Sequence, residues 1–486
     1  MKKQPGGLPY DDEDERSILE YAGRLTGHTF VEIGVWDPEG DQRRKNKKGT
    51  FGQILEAGYF LIPNNNSEEP DFTKVGIELK TTPIKRSSGN KLTSKERLVL
   101  GKINYMEINN LGFEGSFKKK NEKLLVVFYE WSQDKEFYNY RILKVVLWTY
   151  PKEDLRIIQE DWNVIAEMVR KGLAHQLSER FTRYLGACPK GVGHSLDLRK
   201  QPCSTTPAEP RALSLKSAYV NKIFTESIYE RYKGLFVNTG ERLRDPYSQS
   251  LFENVEWDST ETFEEFVLEH FAGFIGKKCK DIESELGISI GKSKSYREVL
   301  VRRMMGIKKK KIEEFEYADI KMKTIFLGNN DKPQESMAFA HFDYLDVVDQ
   351  EWETSEWSKD LDKRFFFVVF QRKKGDEDDI FIGAFFWSMP HDDMLEAKRV
   401  WETTVDKIKY HRMDELPRSV ESPVAHVRPH GRNRSDTLLA PDGKMYVKRC
   451  FWLNRDYIAK VVKDSGVLEK AVQSSNSNKY GGPGRI

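Results

Sequence analysis

The sequence predicts a mixed α/β (α+β) protein made of two tandem domains, each a small mixed sheet flanked by helices. Three observations lead there. At 486 residues the chain is longer than one hydrophobic core usually organises. Short β-branched and aromatic runs, such as Leu124 to Glu130 and Tyr140 to Trp148, are followed by a stretch of helical periodicity from Leu155 to Leu185. Several short phrases of the first half recur in the same order in the second.

Taken in order, Ser17 to Ile33 reads as an amphipathic helix, a turn at Gly27 and a second short helix. Gly52 to Phe60 follows as a helix with Phe51, Ile54 and Leu55 on one stripe, and Val75 to Thr82 as a strand. Two further strands end at Pro151, ahead of the helical section in which Trp162 is a core residue. Residues from about Gly234 to Ser259 lose periodicity and read as a linker, so the domains are expected at 1–233 and 260–473, with a disordered tail from Ser474 to Ile486.

Composition narrows the class. The chain is 38% hydrophobic and 32% charged, and no apolar run is long enough to span a bilayer. The start lacks the apolar core of a signal peptide. Cys188, Cys203, Cys279 and Cys450 have no metal-ligand spacing, which favours reduced thiols and a cytoplasmic location. Net charge is only +3, so a nucleic-acid partner is not announced in bulk. The basic cluster ending at Lys48 abuts the helix carrying Glu56 and could hold DNA phosphates, whereas Lys118 to Lys120 reads as a solvated run.

The chemistry concentrates in DFTKVGIELKTTPIK, Asp71 to Lys85. Asp71, Glu78 and Lys80 form D-x6-E-x-K, and strand alternation sends Glu78 and Lys80 to one face, Ile77 and Leu79 to the other. Such a set suits metal-dependent phosphodiester hydrolysis. Asp71 and Glu78 would hold Mg²⁺ through oxygen ligands, and Lys80 would orient water and stabilise transition-state charge. Glu56 makes a third carboxylate available. The alternative is a solvated Glu/Lys pair on an edge strand.

KGxxGQxLE, from Lys48 to Glu56, followed by DFxxxGIELKTxP, resembles the mismatch-repair nicking endonuclease MutH and related type II restriction endonucleases that cut GATC. The run Thr93 to Leu100 ahead of Ile103-Asn104-Tyr105 is more similar to the two-domain GATC enzymes. The resemblance implies a restriction-endonuclease fold, Mg²⁺, and double-stranded DNA as partner, with two GATC sites per complex and a DNA-induced dimer among the forms expected. Cys188-Pro189-Lys190 falls where the family carries an Arg-Pro-Lys loop that reads base edges, so guanine contact passes to Lys190, Arg199 or Arg211. The phrase Ser217 to Lys222 resembles a family strand, making Tyr219 a candidate to stack beside a base step and Lys222 a further DNA contact.

The second half repeats this plan. Glu314 matches Asp71, Lys323 matches Lys80, Lys321 replaces Glu78, and Val301 stands at Glu56. Trp387 and Pro390 match Trp148 and Pro151, Arg428 restores the arginine missing at Cys188, and Trp452 is set against Tyr219. A lysine for the central carboxylate opposes Mg²⁺ binding, so this copy is expected to be catalytically silent. It retains Arg428, Arg432, Arg434, Trp452 and Arg455 for contact with an effector DNA. Three classes stay open: a GATC restriction endonuclease, a MutH-like nicking enzyme of mismatch repair, and a non-catalytic DNA-binding regulator.

Overall fold

The computed structural model describes residues 7–35, 50–63, 68–86, 91–190, 197–229, 235–237, 247–253, 255, 257–258, 260–291, 293, 295–372 and 375–480. The chain divides into two compact units, Met1–Ser248 with Glu316–Ala318, and Gln249–Phe315 with Asp319–Ile486. No helix among the described residues is long and apolar enough to cross a membrane.

The first unit opens with α1 (Glu15–Gly23) and α2 (Thr50–Ile54) and contains β1 (Ile77–Arg86), β2 (Leu92–Ser94), β3 (Leu98–Lys102), β4 (Lys123–Glu130) and β5 (Ile142–Thr149). Then come α3 (Lys152–Arg170), β6 (Leu185–Pro189), β7 (Arg199–Gln201), β8 (Ser204–Ala208), β9 (Arg211–Leu215), α4 (Ser217–Tyr229) and β10 (Leu235–Val237). The main sheet has the order β10-β5-β4-β1-β2, with β1 parallel and β5 antiparallel to the central β4. Covered on both faces, β4 is fully buried from Leu124 to Phe128, which is why its sequence runs apolar without alternation. A second sheet, β3-β9-β6, is antiparallel. Because β10 pairs with β5, the chain beyond residue 233 still belongs to this unit, and the expected linker loses its first part.

Gly27 turns as expected, at φ +86°. The short helix expected after it stays a single turn: the Thr29 N–H and the Glu32 carboxylate, and the Glu32 N–H and the Thr29 hydroxyl, bond reciprocally. Gly34, at φ +69°, leaves helical geometry immediately afterwards.

The phrase expected as a strand at Ser217 to Lys222 begins α4, and the strand lies earlier, at β9. Tyr219 and Lys222 are corrected with it, since both face the interior. The fully buried Tyr219 hydroxyl donates to Asp154 at 2.8 Å, and the Lys222 ammonium contacts the same carboxylate. Neither side chain is available to DNA. On α3, the buried Asp161 accepts from the backbone N–H groups of Arg183, Tyr184 and Leu185 at 2.6–2.9 Å, which fixes the start of β6.

The second unit contains α5 (Phe263–Ala272), α6 (Tyr296–Met304), β11 (Lys321–Leu327), β12 (Met337–His341), β13 (Phe365–Gln371) and β14 (Ile380–Trp387). They are followed by α7 (His391–Lys409), β15 (Ala425–Pro429), β16 (Thr437–Leu439), β17 (Met445–Val447), β18 (Arg449–Leu453), α8 (Arg455–Asp464) and α9 (Val467–Tyr480). Its sheets, β11-β13-β14 and β12-β18-β15, and its hairpin β16-β17 repeat the first unit's plan in the same chain order. Gly276, at φ +81°, bonds to Phe381 as Gly27 bonds to Ile142. Tyr344 donates to the Val447 carbonyl as Tyr105 donates to that of Glu209. The expected disordered tail is helical through Tyr480.

One register is corrected. Arg449 pairs with Pro429 as Arg211 pairs with Pro189, so Trp452 matches Ser214 and Tyr457 matches Tyr219. The chemistry agrees, because Tyr457 donates to Asp393 at 2.8 Å, three residues past Pro390, as Asp154 stands three past Pro151.

This repeated bond carries a lysine only in the first unit. Asp154→Ala leaves the buried Lys222 ammonium only the more distant Glu226, 3.9 Å away, and should cost about 3 kcal/mol. Asp393→Ala removes one hydrogen bond to a charged group and should cost about 1.5–3 kcal/mol. Urea unfolding of the full chain, followed for the transition of each unit, measures both.

Candidate active site

The D-x6-E spacing is a fold-back. Phe72 donates to the Ile77 carbonyl at 2.9 Å and Gly76 to that of Phe72 at 2.9 Å. Gly76 lies at φ +70°, a conformation that suits glycine. The turn returns Asp71 to the start of β1, where its carboxylate accepts the Leu79 N–H at 2.9 Å and its own N–H reaches Glu78 Oε2 at 3.2 Å. Ile77 and Leu79 enter the core, as the alternation predicts.

Glu78 is 2% exposed. Lys80 Nζ donates to its Oε1 at 2.5 Å, and Lys120 Nζ stands 3.5 Å from the same oxygen. Lys120 comes from the turn before β4, the parallel neighbour of β1, so both residues sit at one end of the sheet. The sequence reading of Lys118 to Lys120 as solvated is corrected at Lys120 alone, which pairs with the buried Glu78; Lys118 and Lys119 pair at the surface with Glu114 and Glu69. Three consecutive lysines gave no signal for which of them turns inward.

Glu56 follows α2 on a wider, π-type turn, Leu55–Tyr59. A Cβ on Gly52 would lie 3.3 Å from Thr81 Oγ1 on β1 and 3.9 Å from Glu56 Oε1, so this glycine lets the helix lie close to the strand. Burial pushes the Glu56 carboxyl above the usual range, and the Asp71 charge adds to it. Burial also raises Glu78, against the pull of Lys80, with Asp71 pushing further upward. The site thus gathers three carboxylates against two ammonium groups.

That donor set would suit a hard divalent cation, because a cation would offset the mutual repulsion that adds to burial in raising both glutamates. Among the described residues no group of three or more His, Cys, Asp and Glu is placed to hold a metal ion together. Asp71 and Glu78 come as the adjacent pair, and Glu56 is coupled to both through charge.

The expected DNA contacts divide. Lys48 lies outside the described residues. Lys190 is exposed at the end of β6, and Arg199 is exposed but paired with Asp197 at 2.8 Å. Arg211 is largely covered and donates to the Ala187 carbonyl at 3.0 Å, while Cys188 is buried. In the second unit Arg428, Arg432, Arg434 and Arg455 are exposed. The expectation of Trp452 as a direct contact is corrected, because it is 6% exposed and the Arg428 guanidinium covers it, 3.7 Å above the ring. Arginine and platform change together: the first unit has Cys188 and Ser214 at these places.

Comparisons with known proteins show what the chain is similar to. The family model described as DNA mismatch repair enzyme MutH matches residues 60–161. The type II restriction enzyme Sau3AI of Staphylococcus aureus is 32% identical over 507 residues, covering 93% of this chain and 98% of that protein. The DNA mismatch repair protein MutH of Vibrio parahaemolyticus is 26% identical over 46% of this chain and 95% of its own length. That of Shewanella woodyi is 29% identical over 48% and 99%.

A cation must bind the ionised carboxylates, so its affinity follows their ionisation. For a carboxyl raised by folding, the sign is that stability is present below the unfolded value, 4.5, and is lost as pH rises through the folded value. The Mg²⁺-induced rise in Tm should therefore be absent near pH 4.5 and grow up to neutral pH. Glu78→Gln should abolish that rise at every pH. Thermal scans with and without Mg²⁺ provide the check.

Proposed function

Because this chain belongs to the MutH-like type II restriction endonucleases, we propose that it cuts double-stranded DNA at GATC by Mg²⁺-dependent phosphodiester hydrolysis. The reading makes the first unit catalytic and the second a silent copy that binds a further DNA site as effector. The observation that carries it is the fold-back of Asp71 onto Glu78, with Lys80 on the same oxygen cluster.

Asp71 and Glu78 would hold Mg²⁺, with Glu56 as a further carboxylate, and the cation would supply charge neutralisation and Lewis-acid polarisation of the phosphodiester. Lys80 would orient the attacking water and stabilise charge on the phosphorane-like transition state. Lys120, on the same glutamate oxygen, would help hold Glu78 ionised. Lys190 and Arg199 would meet the DNA, the latter after release from Asp197. The site of action would be the cytoplasm.

The MutH-like nicking reading is disfavoured by coverage. MutH proteins match about half of this chain, whereas the Staphylococcus aureus restriction enzyme spans both units. A purely binding role leaves the buried Glu78 unexplained.

Glu78→Ala and Lys80→Ala should each lower Mg²⁺-dependent plasmid cutting by at least about a hundredfold while sparing target binding, the scale for losing a group that acts mainly in the transition state. Cutting near the parent rate by either variant would refute the site.

If the second unit is an effector, its DNA affinity must differ between less and more active arrangements of the chain. A plasmid with two GATC sites should then be cut roughly five- to a hundredfold faster per site than a plasmid with one, corresponding to a coupling of about 1–3 kcal/mol. The pair Arg428→Ala and Arg432→Ala should remove this difference and leave the slow basal rate. Equal per-site rates for the parent would leave the second unit a structural role.

A further inference from the structure

The second unit keeps the strand and register of the first unit's site and reverses its charge. Glu78 lies opposite Leu124, and Leu124 opposite Trp148; Lys321 lies opposite Phe365, and Phe365 opposite Trp387. The turn before the strand is also kept. Ile320 donates to the Phe315 carbonyl as Ile77 does to that of Phe72, and Asp319 adopts the positive φ of Gly76. Lys321 therefore occupies the place of Glu78, and Lys323 that of Lys80. Glu314, at the place of Asp71, is fully buried and accepts from the Ser250 hydroxyl at 2.6 Å and the Leu251 N–H at 2.9 Å.

The charges around the two lysines are unevenly shared. Lys363 pairs with Asp360 at 2.9 Å and with Asp319 at 3.4 Å, whereas Lys321 lies 3.8 Å from Asp319. Lys323 makes no ion pair among the described residues. Burial holds its ammonium below the usual lysine range; Asp360 opposes that effect and Lys321 adds to it. Three ammonium groups, Lys321, Lys323 and Lys363, thus face Asp319 and Asp360, while Glu314, at the place of Asp71, is turned to Ser250 and Leu251. The Lys321 side chain is 43% exposed, so an anion can reach it.

We propose that Lys321 and Lys323 form a metal-independent binding site for a DNA backbone phosphate, at the place where the first unit uses carboxylates to hold a cation. This deepens the reading of the second unit as a DNA-binding copy and rests on it. In the first unit a phosphate meets three carboxylates until a cation arrives. In the second, lysine supplies the positive charge, so DNA is held there whether or not Mg²⁺ is present.

The test uses the full chain in EDTA, where a labelled duplex with one GATC site is bound without being cut, and follows anisotropy over a salt titration. Lys321→Ala with Lys323→Ala should weaken binding roughly tenfold or more and flatten the log–log salt slope by about 1, the value for one lost phosphate contact. Lys321→Arg with Lys323→Arg should retain the slope. Unchanged affinity and slope in the alanine pair, with an unchanged melting curve, would overturn the proposal. If Arg428→Ala with Arg432→Ala then still removes two-site stimulation, the effector reading survives and only the phosphate site falls. If that pair is also silent, both fall. Should the alanine pair fail to fold, the single Lys321→Gln at its half-exposed position should flatten the slope by a measurable part of about 1. No change there would be equally decisive against the site.

Discussion

Glu78 imposes the main constraint on the first unit: a carboxylate buried on a strand whose neighbours, Ile77 and Leu79, enter the hydrophobic core. An unpaired charge there would cost several kcal/mol, roughly the stability margin of a domain. The surrounding architecture answers that cost. The Asp71 N–H, the Lys80 ammonium and the Lys120 ammonium all approach the Glu78 oxygens, and each comes from a different segment. Compensation is incomplete by design of the chemistry, since Asp71 and Glu56 return negative charge to the same place. That surplus of negative charge is what a bound cation would offset.

The second unit shows how separable this constraint is from the scaffold. Tyr457 with Asp393, Tyr344 with the Val447 carbonyl, and the Gly276 exchange with Phe381 all reproduce bonds of the first unit. None of them involves the positions corresponding to Asp71, Glu78 and Lys80, so charge there can change sign without loss of the fold. What distinguishes the copies is a few side chains grafted onto a common frame.

The segments expected to meet DNA follow the same logic of support from beneath. Asp161 gathers three consecutive backbone N–H groups and so sets the start of β6, at whose far end Pro189 and Lys190 emerge. In the second unit the Trp452 ring lies under the Arg428 guanidinium and holds a planar donor fork in one orientation. A preordered arginine loses less conformational entropy on meeting a base edge or a phosphate. The first unit, with Cys188 and Ser214 at these places, has neither part of the device.

The sequence by itself determined the α/β class, the repeated plan, the strand carrying Glu78 and Lys80, and the reversal of charge at Lys321. These are local in origin: alternation, apolar runs and motif spacing act over a few residues and survive without tertiary context. Which lysine of Lys118 to Lys120 joins the site was decided by the parallel pairing of β1 with β4, a contact between segments some 45 residues apart that no periodicity encodes. Tertiary structure likewise decided that Tyr219 and Lys222 face Asp154 from a helix. It decided too that Trp452 supports an arginine from below. A polar or aromatic side chain has the same local signature at a surface and in a satisfied interior, and only the partner brought to it by folding distinguishes the two.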